Sequence, residues 1–302
     1  MPHRVVLALL CCVLPASAMA EATLTGWISS PALPEISGMA ASHAHPGTLW
    51  VENDSGNPAD VYAVSPGGTL LATLHVDGVP NIDWEDFASF DMDGHHYLIL
   101  ADTGDNGGIR KTLALHVIEE PKELHDAHAR PAWSIAFRWP DGPRDCEAVA
   151  VDVRTSSILL ITKKRVPAQL FRLPLRPMTT NSKEPGVLTA ELLGTLAGIP
   201  QPTADEIAAA PHYARYLSQV TAVDIAPDRN SIAVLTYRRA YLYRRSATED
   251  WAQAVSHAPI QLSFEWMPQA EALAFALDGR SFFVSGEHLP APIVQVDVPA
   301  SH

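Results

Sequence analysis

Five short stretches of the chain repeat one pattern, and each opens on a side chain that carries oxygen. They are Ser37-Gly38-Met39-Ala40, Glu85-Asp86-Phe87-Ala88, Glu147-Ala148-Val149-Ala150, Thr221-Ala222-Val223-Asp224 and Glu271-Ala272-Leu273-Ala274. Each begins an apolar run of strand length, and the openers recur at intervals of 48, 62, 74 and 50 residues. Recurrence on that scale marks a repeat architecture, in which like elements must lie side by side.

Behind each opener comes a second apolar run: Leu49-Trp50-Val51, Leu98-Ile99-Leu100, Leu159-Leu160-Ile161, Ala233-Val234-Leu235 and Phe282-Phe283-Val284. A third follows every time, as in Asp60-Val61-Tyr62-Ala63-Val64 and Ile293-Val294-Gln295-Val296. A fourth is visible in the first four units, for example Leu192-Leu193-Gly194-Thr195-Leu196. Four short antiparallel strands per repeat predict an all-β fold, a single β-propeller of five blades. The last unit stops after its third strand. Ala22-Thr23-Leu24-Thr25-Gly26-Trp27-Ile28 is free to supply the fourth, closing the ring and removing its open edge. The interval of 74 leaves six blades as the alternative. Its surplus, residues 198–217, has no alternating pattern and reads as a loop carrying a short helix.

Residues 1–20 read as a secretory signal: Arg4, the apolar run Val5 to Leu14, then Ala16-Ser17-Ala18 or Ala18-Met19-Ala20 for cleavage. The propeller domain then covers 21–302, and a periplasmic or secreted location follows. No later run is long and apolar enough to span a membrane. Only Cys146 remains after the leader, so no intrachain disulfide can form and packing must stabilise the domain. The net charge of −13 argues against nucleic acid as a partner, because a phosphate backbone demands a basic face. A monomer is expected.

In a propeller the innermost strands run along the central channel, so the five openers should ring one mouth. The ends of the second strands join them there: Asn53 and Asp54, Asp102 with Asp105 and Asn106, Lys163 and Lys164, Tyr237 and Arg238, and Glu287 with His288. Three carboxylates in one hole repel unless a cation neutralises them. Ser37, Glu85, Glu147, Thr221 and Glu271 are therefore candidate ligands of a hard metal. Oxygen donors drawn from several strands suit Ca²⁺. The bland alternative is that the glutamates solvate the mouth or pair with Lys163 and Arg238.

The order Ser, Glu, Glu, hydroxyl, Glu at these positions resembles the calcium-activated nucleotidases, the apyrases of the five-bladed propeller type. Glu35-Ile36-Ser37-Gly38 is similar to that family's first-blade motif. The resemblance implies a channel Ca²⁺ held by residues of all five blades. Thr221 departs from the Ser expected there and keeps the hydroxyl. Asp83-Trp84-Glu85-Asp86, Ala101-Asp102-Thr103-Gly104-Asp105-Asn106 and Asp145-Cys146-Glu147-Ala148 also resemble exported bacterial propellers of the phytase-like, or "esterase-like activity of phytase", group.

Two functions follow as expectations. One is a calcium-dependent hydrolase of phosphoesters or other anionic substrates, in which Asp86 or Asp102 positions the attacking water and Lys163 meets the substrate's charge. The other is a non-catalytic propeller in which calcium is structural and a loop face binds a ligand or an envelope protein. The Asp102–Asn106 segment has calcium-loop composition without the spacing of an EF-hand, and reads equally as a turn. His43 and His45 are spaced to share a metal, in a loop expected at the opposite mouth. Cys146 reads as a buried, inert thiol.

Overall fold

All five openers do begin inner strands: Ile36–Ala41, Trp84–Met92, Cys146–Asp152, Val220–Ile225 and Ala270–Phe275, each largely buried. The computed structural model describes residues 21–176 and 186–300, so the expected leader at 1–20 lies outside the described residues. Each inner strand packs against the inner strands of its two neighbours, and the fifth meets the first. The described residues form five sheets, and residues 198–217 add no sixth. The chain is a five-bladed propeller.

Blade 1 continues through Leu49–Asn53, Asp60–Val64 and Leu70–Val76, and blade 2 through His95–Asp102, Leu113–Glu119 and Trp133–Arg138. Blades 3 and 4 end on Glu191–Thr195 and Ile260–Leu262. Blade 5 is completed by the amino-terminal strand Ala22–Ile28, antiparallel to Ala291–Asp297, which joins the two ends of the chain as expected. Two blades carry a fifth strand that alternation did not reveal. Ala127–Ala129 lies parallel to the outer strand of blade 1, and Leu188–Thr189 parallel to that of blade 2. Both come from the following blade's excursion and take up edge groups that would otherwise stand unpaired.

The surplus between blades 3 and 4 contains the helix Ala204–Ala209, started by a Thr203/Glu206 capping box. The hydrophobic core is not one mass but five, each filling the wedge between adjacent blades, so that Val149 and Phe171 pack with blade 2 while Leu159 and Leu170 pack with blade 4. The alternation of each strand therefore serves two interfaces at once.

The inner strands share one irregularity. In every blade the ladder with the second strand slips at the opener: between Ile36 and Gly38, Trp84 and Asp86, Cys146 and Val149, Val220 and Ala222, and Ala270 and Ala272. A bulge of this kind leaves one residue out of the ladder and re-aims its side chain. Ser37, Glu85, Thr221 and Glu271 are those residues in four blades, and in blade 3 Glu147 leaves the ladder together with Ala148.

Candidate metal centre

The bulges explain how the openers point together. Glu85, Glu147 and Glu271 are all buried at one mouth of the channel, and the cation among them is Lys163. Its ammonium is paired with Glu147 and lies 5.4 Å from the centre of the Tyr237 ring. Tyr237 in turn donates to Glu271 Oε1 at 2.7 Å. Burial opposes a charge on Lys163, but Glu147, Tyr237, Glu271 and Glu85 together hold it protonated.

The two hydroxyl openers behave differently. Ser37 Oγ donates to the Glu85 carbonyl and Thr221 Oγ1 to the Ala270 carbonyl, both at 2.7 Å. Thr103, after the second strand of blade 2, makes the same bond to the Cys146 carbonyl at 2.7 Å. Each ties one blade to the opening of the next inner strand. Sequence reading grouped Ser37 and Thr221 with the carboxylates; their protons are committed to the backbone of neighbouring blades.

Lys163, with Lys164 beside Asp145 at the rim, does not balance the carboxylates of the mouth. Glu85 is 4 % exposed, and its Oε1 has no hydrogen-bond partner. Burial, then the charge of Glu147, raises its carboxyl well above the usual range, and burial pushes Glu271 up to about 7. Ligand atoms of Asp54, Asp83 and Glu85 lie within 4.8 Å of one another, as do those of Glu85, Asp145 and Glu147. Glu85 belongs to both groups. Gly104 makes room for them, because a Cβ there would overlap Glu85 Oε1 and the Asp83 carboxylate. An all-oxygen donor set around an orphaned carboxylate fits a hard divalent cation such as Ca²⁺.

Asp83 and Asp145 were not among the residues singled out as ligands, although a signal for them exists. Asp83-Trp84-Glu85 and Asp145-Cys146-Glu147 are the same Asp-x-Glu phrase, and Glu35, Gln219 and Gln269 hold the equivalent position in the other blades. The Asp102–Asn106 segment proves to be a fastened turn. Asp105 accepts from the Ile109 and Arg110 amides at 2.8 and 3.1 Å, and its own amide donates to Asp145 Oδ1 at 2.8 Å.

The residues expected to carry chemistry are occupied. Asp86 is fully buried inside the channel, with Oδ1 accepting from the Phe87 amide at 2.9 Å and Oδ2 from Val149 at 2.8 Å and Val223 at 3.3 Å. Asp102 is buried and paired with Arg110 at 2.6 Å. Lys163 belongs to Glu147. At the rim, Lys164 is 40 % exposed and lies 2.9 Å from Asp145 Oδ2. Arg238 reaches away to Glu206 on the helix at 2.6 Å, and Arg239 to Gln261 at 3.0 Å. Sequence reading could not sort these cations, since alternation fixes a face only when the strand ends are known.

No protein-family model matches the chain, and no curated protein matches it. Among solved structures it is similar to the major allergen Mala s 1 of Malassezia sympodialis, with a TM-score of 0.57 and 10 % identity over 91 % of this chain and 97 % of that one. At such identity the likeness establishes the propeller and nothing finer, and a propeller alone does not choose a function. The resemblance to nucleotidases and phytase-like proteins gains no support from these comparisons beyond the shared fold.

Proposed function

We propose that the protein is an exported, calcium-binding propeller in which the ion completes the acidic mouth and fixes it as a recognition surface for a ligand or envelope protein. The observation that carries this is Glu85: a buried carboxylate with an unpartnered oxygen, common to two groups of convergent carboxylates. Asp54, Asp83, Glu85 and Asp145 are the residues assigned to the ion, with Glu147 shared between it and Lys163. Of the ring of Ser37, Glu85, Glu147, Thr221 and Glu271, Glu85 and Glu147 turn to the ion, Glu271 accepts from Tyr237, and the hydroxyls hold the blades in place. No helix among the described residues is long and apolar enough to cross a membrane.

A second reading is a calcium-dependent hydrolase of phosphoesters or similar anions, and one observation favours it. Lys164, half exposed, stands beside Asp145 at the rim, where it would draw an anion towards the ion. Calcium would supply polarisation of the phosphoryl oxygen. Against this reading, Asp86 spends its carboxylate on three backbone amides, Asp102 on Arg110 and Lys163 on Glu147.

Calorimetric titration of the chelator-treated protein with Ca²⁺, beside assays against nucleotides, phytate and a generic phosphodiester, separates the two. A calcium-dependent rise in melting temperature without turnover supports the recognition propeller. Calcium-dependent turnover lost in Glu85→Gln supports the hydrolase. Absence of calcium binding defeats both.

A further inference from the structure

A second cluster of ligand-type side chains lies at the other end of the channel. There a cavity of about 350 Å³ is lined by Ala41, His43, Ser89, Asp91, Asp224 and Arg229, among others. Asp91, near the end of the blade 2 inner strand, is the cross-strand partner of His96. His43 comes from the turn that follows the blade 1 inner strand. The two imidazoles address one carboxylate, His43 Nδ1 at 2.9 Å from Asp91 Oδ2 and His96 Nδ1 at 2.6 Å from Oδ1. A ligand atom from each residue lies within 4.8 Å of the other two.

The turn that presents His43 is fastened from below. Buried Glu120 accepts the His43 amide on Oε1 at 3.0 Å, and on Oε2 the Trp50 indole at 2.9 Å together with the Ser42 hydroxyl. The Ser42 oxygen takes the His45 amide at 2.9 Å. His45, whose spacing from His43 would also allow a shared metal, instead bonds the Pro121 carbonyl through Nε2 at 2.7 Å, and His96 is the imidazole that stands beside His43 and Asp91.

We propose that His43, Asp91 and His96 form a binding site for a borderline divalent transition ion, of which Zn²⁺ is the representative, clipping blade 1 to blade 2 beside the cavity. Two imidazole nitrogens and one carboxylate oxygen suit such an ion and are poor company for Ca²⁺ or Mg²⁺. Three protein ligands leave a coordination position open, as sites that bind a further ligand do. The neighbouring cavity, which shares His43 and Asp91 in its wall, gives that position somewhere to face. The site is independent of the acidic mouth and of the calcium assigned there.

Titration of tag-free protein with Zn²⁺, and with Co²⁺ as a spectroscopic stand-in, tests the site. With Ca²⁺ present to occupy the acidic mouth, one Zn²⁺ or Co²⁺ per chain is expected, with a visible Co²⁺ spectrum of low-symmetry nitrogen and oxygen ligation. His96→Gln and Asp91→Asn should each weaken binding on the order of 100-fold or more, since loss of even an outer partner costs about 10–100-fold. Both residues are about half exposed, so these variants should fold, which circular dichroism checks. His95→Gln, in the exposed pair with Glu119, should bind as the parent does. Failure of the parent to bind, unchanged affinity in His96→Gln, or an equal loss in His95→Gln would overturn the proposal.

Discussion

The Oδ2 atom of Asp86 accepts a hydrogen bond from the Val223 amide, 3.3 Å away, and so joins blade 2 to blade 4 across 137 residues of sequence. With the Phe87 and Val149 amides, three blades share one carboxylate. Removing it would leave three donors without partners inside the channel. At about 1–3 kcal/mol for each orphaned group, Asp86→Ala should cost at least about 3 kcal/mol. Asp86→Asn should cost less, because one oxygen still accepts. Urea unfolding measures both, and a loss below about 1 kcal/mol for the alanine variant would mean that water replaces the carboxylate.

Glu85→Gln addresses the acidic mouth. Without added metal the substitution replaces a buried carboxyl, whose Oε1 has no partner and whose ionisation burial and Glu147 disfavour, by a neutral amide, so the variant should melt at or above the parent temperature. With Ca²⁺ the order should reverse. A ligand at about a hundred times its dissociation constant adds about 2.7 kcal/mol to a protein that binds it only when folded. Differential scanning calorimetry with chelator and with calcium should show that increment in the parent and its absence in the variant.

The blades were legible in the sequence because each strand alternates into two interblade cores, and the openers were legible because their oxygen recurs ahead of an apolar run. What each opener does was not. Ser37 and Glu85 hold the same position in the repeat, yet one donates to a backbone carbonyl and the other keeps an unpartnered oxygen. That difference depends on the bulge and on which neighbour it faces. Lys163 could be placed at the mouth and weighed as a partner for the glutamates, but its choice of Glu147 and its position over Tyr237 could not be read, since its reach depends on side-chain torsions. The short parallel strands Ala127–Ala129 and Leu188–Thr189 have no period to detect. Asp91 and His96 face each other across one hairpin of blade 2, but His43 is distant in sequence and meets them only through the packing of blade 1 on blade 2.

Lys163→Gln should make the protein dependent on metal. Breaking a buried ion pair by removing one partner costs about 3–5 kcal/mol, because the remaining charge is left uncompensated. Here Glu147 is that charge, and it also belongs to the group of Glu85 and Asp145. Ca²⁺ should therefore recover more stability in Lys163→Gln than in the parent. Equal calcium effects in the two proteins would separate Glu147 from the proposed ion.

Cys146 should be inert while the protein is folded. It is fully buried, and burial pushes its thiol up to about 12, leaving almost no thiolate at neutral pH. Its Sγ lies 3.3 Å from the Ile161 carbonyl. In the chain without residues 1–20, which carry Cys11 and Cys12, a thiol reagent should modify Cys146 only at the rate of unfolding and should label one equivalent in denaturant. Fast labelling of native protein would show that the wedge between blades 2 and 3 opens.

Asp224 should give the stability a dependence on pH that opposes ordinary acid unfolding. Burial pushes its carboxyl from 3.8 up to about 7, even though the Ile225 amide bonds Oδ1 at 2.7 Å and the Phe275 amide bonds Oδ2 at 2.8 Å. Between those two values the folded chain holds a proton that the unfolded chain has released. Stability from this group is therefore full below about pH 4 and is lost as pH rises towards 7, at up to about 1.4 kcal/mol per pH unit. Asp224→Asn cannot ionise, so its stability should not fall over that window as the parent's does. At about pH 4 and below, where the parent's contribution is full, it should be about 1 kcal/mol less stable, because an amide nitrogen cannot accept the second backbone N–H. Chemical denaturation between pH 4 and 8 measures both effects. Parallel curves for the two proteins would show that Asp224 is ionised throughout and that its two amide bonds outweigh its burial.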